Sequence, residues 1–385
     1  MAKLTDKQIE TKVKALRLSV TQWLKQNELD HDVVFRTYIE HFNDDPGSIP
    51  LVMCITDAVA DALDSELQTQ FIDIIQSFGF WYEQETASVI SFFPDDETEF
   101  EQFGDYLAFR YFMDLLAPDF TDIYTEIFHY FSRQPSRLED LTWRGFEELV
   151  ASVFKNQGFR TELGRGWADQ GIDIRLLGHS VHGELSTLVQ VKKYRKDRPI
   201  RLESIAALSG HLYDRGADKG IFVTTSRYLP GARRFAARQE KSIVLADSGN
   251  LAEWCDEISK RIGGASIEGE FRSILSAIIR GTKFPFPVGQ IVHASIGVNC
   301  IMNRFAVVVR ATPRAALLVE LPAIKTPAGE YFYIGSEVPD LTTVQSELHV
   351  IKAKRTDDVN RISFWGERQR YTLWDGKPVW YDWND

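Results

Sequence analysis

The sequence predicts a central α/β domain, with a mixed sheet flanked by helices, between an N-terminal all-α domain and a C-terminal β-rich domain. Apolar residues recur at helical spacing in the first part of the chain, and strand-like and helix-like runs alternate in the middle. Short β-branched runs separated by Pro, Gly and Asp fill the end. A chain of 385 residues is long enough for two or three domains. We expect an N-terminal segment at 1–140, a central segment at 141–262 and a C-terminal segment at 263–385.

The N-terminal segment is predicted to be helical because its apolar residues are three and four positions apart. Between residues 6 and 24 they form an amphipathic stripe of Ile9, Val13, Leu16, Val20 and Leu24. Helical spacing continues from Leu51 to Phe80, and aromatic residues are dense from Tyr106 to Phe131. Such stripes are typical of a helix-bundle core.

The charge of the chain is unevenly distributed. The formal net charge is −11, but residues 1–140 carry 10 Lys and Arg against 27 Asp and Glu, whereas residues 141–250 carry 18 against 12. Attraction to phosphate depends on local patches, so the acidic total does not exclude a nucleic-acid partner for the central segment. We expect the acidic N-terminal segment to bind a partner protein or to form a homo-oligomer.

Other classes of protein are disfavoured by composition. No window holds 18 uninterrupted apolar residues and the chain begins with charged residues, so neither a membrane span nor a secretory signal is predicted. The cysteines Cys54, Cys255 and Cys300 lie far apart without CxxC spacing. This pattern predicts reduced thiols in a cytoplasmic protein, and not a disulfide frame or a zinc site.

Helices and strands are predicted to alternate in the central segment. The helices are expected at Trp143–Gln157, Leu202–Leu212, Pro230–Gln239 and Asn250–Ile262. The strands are expected at Asp173–Leu177, Leu188–Val191, Gly220–Thr225 and Ile243–Ala246. This alternation indicates a mixed sheet covered on both faces. In the C-terminal segment, a helix at Phe271–Ile279 and six short runs beyond it indicate a small barrel or sandwich.

Three polar side chains stand at the ends of two neighbouring strand candidates. Asp173 opens the first, and Gln190 and Lys192 share one face of the second, because strand residues alternate. A hairpin between the two strands would bring all three together. A carboxylate, an amide carbonyl and an ammonium can hold a hard divalent cation and activate a water beside it. The pattern therefore predicts a hydrolytic metal site, for which a phosphodiester is the most natural substrate.

Four motifs in the central segment resemble the catalytic domain of Mrr-type restriction endonucleases. In order they are Phe146-Glu147-Glu148-Leu149-Val150, Gly164 through Ile174, Val189 to Tyr194, and Gly220 to Ser226. The resemblance covers roughly residues 141–255 and neither flank. It implies a PD-(D/E)xK nuclease fold and Mg²⁺-dependent cleavage of DNA phosphodiesters, with Mn²⁺ as the alternative metal.

The resemblance also implies a role for four residues. Asp173 matches the metal-binding aspartate and Lys192 the catalytic lysine. Gln190 stands where most of the superfamily has Asp or Glu, and Glu147 matches the acidic residue of the first helix in preference to Glu148. Asp173, Gln190 and Glu147 would hold the metal, and Lys192 would orient or deprotonate the attacking water.

Several residues near these motifs have two interpretations. Asp169 matches an acidic position of the family's Gly-rich loop, or it shapes the turn. A basic run contacts backbone phosphates or forms a solvated face; it consists of Lys193, Arg195, Lys196, Arg198 and Arg201. The hydroxyls of Thr224, Thr225 and Ser226 bind phosphate, or simply end a strand.

The leading functional hypothesis is a DNA endonuclease of the restriction or phage-defence kind. A second hypothesis keeps the fold and changes the substrate to branched DNA or RNA. A third is a nucleic-acid-binding or scaffolding protein with an inactive nuclease-like domain. Retention of all four site residues counts against the third hypothesis.

Overall fold

The computed structural model describes residues 3–164, 172–180, 183–263, 267–297, 300–329, 331–343, 347–358 and 361–383. Its internal contacts divide the chain into two compact units. The first unit contains residues 1–114 and 366–368, and the second contains residues 115–365 and 369–385. The three-domain division at residues 140 and 262 stays a prediction.

The first unit combines helices with an antiparallel sheet. Its helices are α1 (Asp6–Gln26), α2 (Tyr38–Phe42), α3 (Asp57–Leu63), α4 (Leu67–Ser77) and α5 (Glu97–Asp114). Its strands are β1 (Val34–Arg36), β2 (Leu51–Cys54), β3 (Phe80–Thr86) and β4 (Val89–Pro94), in the order β1-β2-β4-β3. The all-α prediction for this part of the chain was therefore wrong. Short, continuously apolar runs such as β2 cannot be assigned by periodicity, because a buried strand and one turn of a buried helix look alike.

The second unit begins with a mixed α/β sheet. Its helices are α6 (Pro118–Thr121), α7 (Glu126–Arg133), α8 (Trp143–Asn156), α9 (Leu202–Asp214), α10 (Pro230–Ala236) and α11 (Ser248–Gly263). Its strands are β5 (Arg160–Leu163), β6 (Ile174–Ser180), β7 (Gly183–Lys192), β8 (Lys219–Thr224) and β9 (Ile243–Ala246), in chain order across the sheet. The predicted helices and strands of the central segment are all present, and β5 is an additional edge strand.

The sheet changes from antiparallel to parallel pairing at β7. This strand pairs antiparallel with β6 and parallel with β8, and β8 continues parallel to β9. Helix α9 packs closely over β8, because a Cβ at Gly220 would lie 3.1 Å from Leu212 and 3.2 Å from Leu208. On α8, Phe146, Leu149, Val150 and Val153 are buried, and the helix lies along β5 and β6. These contacts place α8 beside β6, the strand that directly follows Asp173.

The rest of the second unit is rich in strands. After α12 (Ile267–Ile279), six strands close into a barrel: β10 (Ile291–Ile296), β11 (Met302–Ala311), β12 (Ala315–Leu321), β15 (Val350–Asp358), β16 (Arg361–Gly366) and β17 (Gln369–Leu373). A separate sheet has the order β13 (Ala323–Ala328), β14 (Tyr331–Pro339) and β18 (Val379–Asp382). In the described parts of the chain, the helices are too short or too polar to cross a bilayer.

Candidate active site

The pairing of β6 with β7 places the Asp173 carboxylate at the end of β7. The Asp173 backbone N–H donates to the Val189 carbonyl at 3.0 Å, and the Val191 N–H donates to Asp173 Oδ2 at 2.6 Å. Asp173 is only 5% exposed. The carboxylate is thus bonded to the backbone of Val191, the residue between Gln190 and Lys192. The convergence of the three side chains stays a prediction.

Gln190 supplies a buried hydrogen-bond acceptor. Its side chain is 6% exposed, and its Oε1 accepts no hydrogen bond from any residue that the structure describes. Buried amide oxygens are normally paired, because an unmet acceptor costs free energy. A carbonyl oxygen next to a carboxylate is also a suitable ligand for a hard divalent cation. Gln190 and Asp173 therefore fit the metal that the sequence implied.

Lys192 lies on the same face as Gln190 and against an aromatic ring of helix α8. Its Nζ is 5.3 Å from the centroid of the Trp143 indole. Its backbone carbonyl accepts a hydrogen bond from Thr224 Oγ1 at 2.6 Å, across the β7–β8 pairing. Both the backbone and the head group of this lysine thus have defined neighbours.

Glu147 is 1% exposed, and both of its carboxylate oxygens are engaged. Trp143 Nε1 donates to Oε1 at 2.6 Å, and Arg144 pairs with Oε2 at 3.1 Å. Arg144 also donates to the Gly164 carbonyl at 2.7 Å. Within the described residues, no three His, Cys, Asp or Glu side chains group in a way that could hold a metal. The role of Glu147 as a metal ligand stays a prediction.

The neighbouring Glu148 occupies a different environment. Its Oε1 lies 3.3 Å from Arg144 Nε. Burial raises the pKa of Glu148 above its usual range, although Arg144 lowers it. The two adjacent glutamates share one arginine, and only Glu147 contacts the indole beside Lys192.

The basic run follows β7, and all its members except Arg201 line a cavity of about 850 Å³. Lys193 is half-buried, while Arg195, Lys196, Arg198 and Arg201 are exposed. Two of these cations contact other side chains of the protein. Lys196 Nζ is 3.1 Å from Glu139 Oε1, and the Arg198 guanidinium is 4.1 Å from the Tyr194 ring centroid. Glu139 and Asp140 line the same cavity, so its walls carry both signs of charge.

Three buried hydroxyls fasten the basic run to the sheet. Thr224, Thr225 and Ser226 donate to the carbonyls of Lys192, Tyr194 and Arg198 at 2.6, 2.7 and 2.9 Å. Of their two interpretations, the structure favours the structural one. Asp169 and Gly171 lie outside the described residues. Trp143 had no predicted role, although its position four residues before Glu147 puts both on one helix face.

The candidate site consists of one carboxylate, one amide oxygen and one lysine at the adjoining ends of two strands of a mixed sheet. Residues 138–255 match the model of the Mrr catalytic family, described as a restriction endonuclease. The resemblance of the central segment to the Mrr-type catalytic domain is thereby confirmed.

Individual relatives are more distant. The uncharacterized protein y4cE of Sinorhizobium fredii (strain NBRC 101917 / NGR234) is 25% identical over 135 residues, which are 34% of this chain and 34% of that protein. The MspJI restriction endonuclease, solved in complex with a 27-mer oligonucleotide, is 20% identical with a TM-score of 0.25, covering 42% of this chain and 34% of its own. The DNA modification-dependent restriction endonuclease AspBHI is 14% identical with a TM-score of 0.27, covering 47% and 60%. The chain thus spans about a third of the length of y4cE and of MspJI.

Proposed function

We propose that the central segment is a Mg²⁺-dependent endonuclease that hydrolyses DNA phosphodiesters in restriction or anti-phage defence. One observation carries the proposal. In a segment that matches a restriction endonuclease family, a buried carboxylate is bonded to the strand that carries Lys192 and a buried amide oxygen to which no described residue donates a hydrogen bond. The RNA and branched-DNA alternatives share this chemistry. The inactive-scaffold alternative is disfavoured because Asp173, Gln190 and Lys192 are all retained at the site.

Asp173 and the Gln190 amide oxygen would hold Mg²⁺, or Mn²⁺ in its place. When bound, the metal supplies Lewis-acid activation of a water and of a phosphate oxygen. Glu147 would join the ligands either through its remaining lone pairs or by leaving Trp143 or Arg144. Because Gln190 is neutral, we expect weaker metal affinity than two carboxylates would give, and a greater dependence on substrate phosphate.

Lys192 orients the attacking water and offsets charge that develops on the phosphoryl oxygens. The basic run binds the phosphate backbone on either side of the scissile bond. In the same proposal, the acidic N-terminal segment binds a partner protein or a second copy of the chain, and the protein works in the cytoplasm.

Cleavage of supercoiled plasmid with Mg²⁺, against EDTA, tests the function. We expect Asp173→Asn and Lys192→Ala to slow nicking by about 100-fold or more. Asparagine keeps an oxygen that can accept from the Val191 N–H, so a loss of activity would come from the missing negative charge and not from misfolding. Asp214→Asn and Lys219→Ala, at two exposed positions of the same segment, are the matched controls.

Two results would overturn the proposal. Equal cleavage rates for the wild type and both site variants would remove the assigned residues from the reaction. Binding of DNA and RNA of several forms without any nicking, with divalent metal and candidate partner proteins present, would establish the scaffold instead.

A further inference from the structure

Trp143 contacts two of the predicted site residues, Glu147 and Lys192. Its indole N–H donates to Glu147 at 2.6 Å, and its ring lies beneath the Lys192 ammonium at 5.3 Å from the centroid. Tyr194 meets the indole edge-on at 6.4 Å between ring centroids. The indole is 40% exposed, so it lies at the opening of the site and not in the core.

We propose that Trp143 is the positioning residue for Lys192, and that Glu147 acts on the reaction through Trp143. The inference rests on the proposed function, since it assigns a task to the lysine of that site. It gives Glu147 a role distinct from that of a metal ligand.

The physical argument begins with the lysine. A lysine side chain has many rotamers of similar energy, and its ammonium must nevertheless stay beside the scissile phosphate. An indole face attracts an ammonium, more strongly where water is partly excluded, and it favours the rotamers that place the charge over the ring. Trp143 therefore reduces the number of positions open to Lys192 Nζ.

The ring itself is oriented from two sides. Trp143 and Glu147 are four residues apart on α8, so their side chains lie on one face of the helix. Arg144 pairs with the second oxygen of Glu147 and compensates its buried charge. The carboxylate thus fixes the plane of the indole, and the edge-on contact with Tyr194 limits its tilt.

Variants of Trp143 test the first step. Trp143→Leu removes the ring, and we expect the single-turnover cleavage rate to fall about tenfold with unchanged DNA affinity and unchanged half-saturating Mg²⁺. Trp143→Phe keeps an aromatic face but loses the N–H that donates to Glu147, so its rate should fall between those of the wild type and Trp143→Leu. Trp254→Leu controls for the loss of a tryptophan. Trp254 belongs to α11 and packs against Phe154, near the opposite end of α8 from Trp143.

Variants of Glu147 test the second step. Glu147→Gln keeps a carbonyl oxygen for the indole N–H, so the rate and the half-saturating Mg²⁺ should stay within about threefold of the wild type. Glu147→Leu removes the acceptor and should lower the rate as Trp143→Leu does. A large rise in half-saturating Mg²⁺ for Glu147→Gln would make Glu147 a metal ligand and would overturn the connection through Trp143.

A measurement without DNA separates this inference from the nuclease function. Reductive methylation at one fixed pH, followed by mass spectrometry, gives the labelling rate of Lys192 relative to exposed Lys219. We expect Lys192 to label faster in Trp143→Leu, Trp143→Phe and Glu147→Leu, and at the wild-type rate in Glu147→Gln. If the wild type cuts nothing and these differences persist, the positioning stands and the nuclease proposal fails. Equal labelling of Lys192 in all variants overturns the positioning, whatever the cleavage rates.

Discussion

At the scale of single residues, Gln190 distinguishes this site from the acidic pairs of most of the superfamily it resembles. Burial of its unpaired oxygen costs about 1–3 kcal/mol, while the neutral amide avoids repulsion with Asp173. A glutamate at this position would add a second buried carboxylate beside the first. If the proposed function holds, an amide at this position gives weaker metal binding than a carboxylate and a more stable metal-free protein.

We expect Gln190→Glu to lower the free energy of unfolding in EDTA by about 1–3 kcal/mol, because it buries a charge next to Asp173. Mg²⁺ should then stabilise the variant more than the wild type, since two carboxylates bind the ion more strongly than one. Thermal unfolding with and without Mg²⁺ measures both effects, and Gln157→Glu on the half-buried end of α8 is the control. Equal Mg²⁺ responses in the wild type and the variant would count against a metal at this position.

The sequence predicted the hairpin of β6 and β7, which is present, because strand candidates and their order suffice to predict it. The convergence of Asp173, Gln190 and Lys192 stays a prediction. The sequence did not predict the indole beside Lys192. That contact depends on how α8 packs along the sheet and on the rotamers of two long side chains, and neither has a signature in residue spacing. For the same reason, the sequence did not predict that both carboxylate oxygens of Glu147 accept hydrogen bonds.

At the scale of elements, the loop after β7 is held in place by the end of β8. Thr225 and Ser226 are buried, and their hydroxyls donate to loop carbonyls at Tyr194 and Arg198. Removal of either hydroxyl would leave one loop carbonyl without this hydrogen-bond donor. These contacts with residues at the end of β8 therefore help to fix the shape of the basic run, together with the hydrogen bond from the Arg198 N–H to the Arg195 carbonyl within it.

We expect Thr225→Val and Ser226→Ala each to lower the free energy of unfolding by about 1 kcal/mol, and hydrogen exchange of residues 193–199 to become faster. Thr225→Ser keeps the donor and should protect these amides as the wild type does. Urea unfolding gives the stability change. Unaltered exchange in both variants would show that the loop is ordered by other contacts.

Prediction of the elements succeeded where runs were long or strongly patterned. The alternation of helices and strands from 143 to 263 is present in the structure, whereas the first unit contains a sheet that was not expected. The strands of that sheet have three to seven residues. Pairing partners such as β2 and β4 are far apart along the chain, so the local pattern could not reveal that they form one sheet.

At the scale of the whole molecule, acidic residues prevail in the N-terminal segment and basic residues prevail between residues 141 and 250. An acidic chain carries a local basic run beside its candidate site, so binding to a polyanion would depend on a few cations. Each phosphate that such a cation neutralises releases counterions, which makes affinity fall with salt.

We expect Arg195→Ala to reduce the slope of log affinity against log salt for duplex DNA by about 0.9, the contribution of one phosphate contact. Arg160→Ala, which removes an exposed arginine paired with Glu162, should leave the slope unchanged. Fluorescence anisotropy from low to moderate salt with Ca²⁺ in place of Mg²⁺ measures the slope without cleavage. The same slope for all three proteins would place the DNA elsewhere on the surface.

In the six-stranded barrel of the second unit, every strand is hydrogen-bonded on both sides. A closed ring presents no strand edge on which a further strand could add. In the neighbouring sheet, the outer strand β13 contains Pro327, which has no N–H to donate, and the opposite outer strand, β18, has only four residues. Chain-to-chain growth of cross-β fibrils is therefore disfavoured across this part of the protein, even though exposed aromatic residues such as Phe332 and Trp380 remain on its surface.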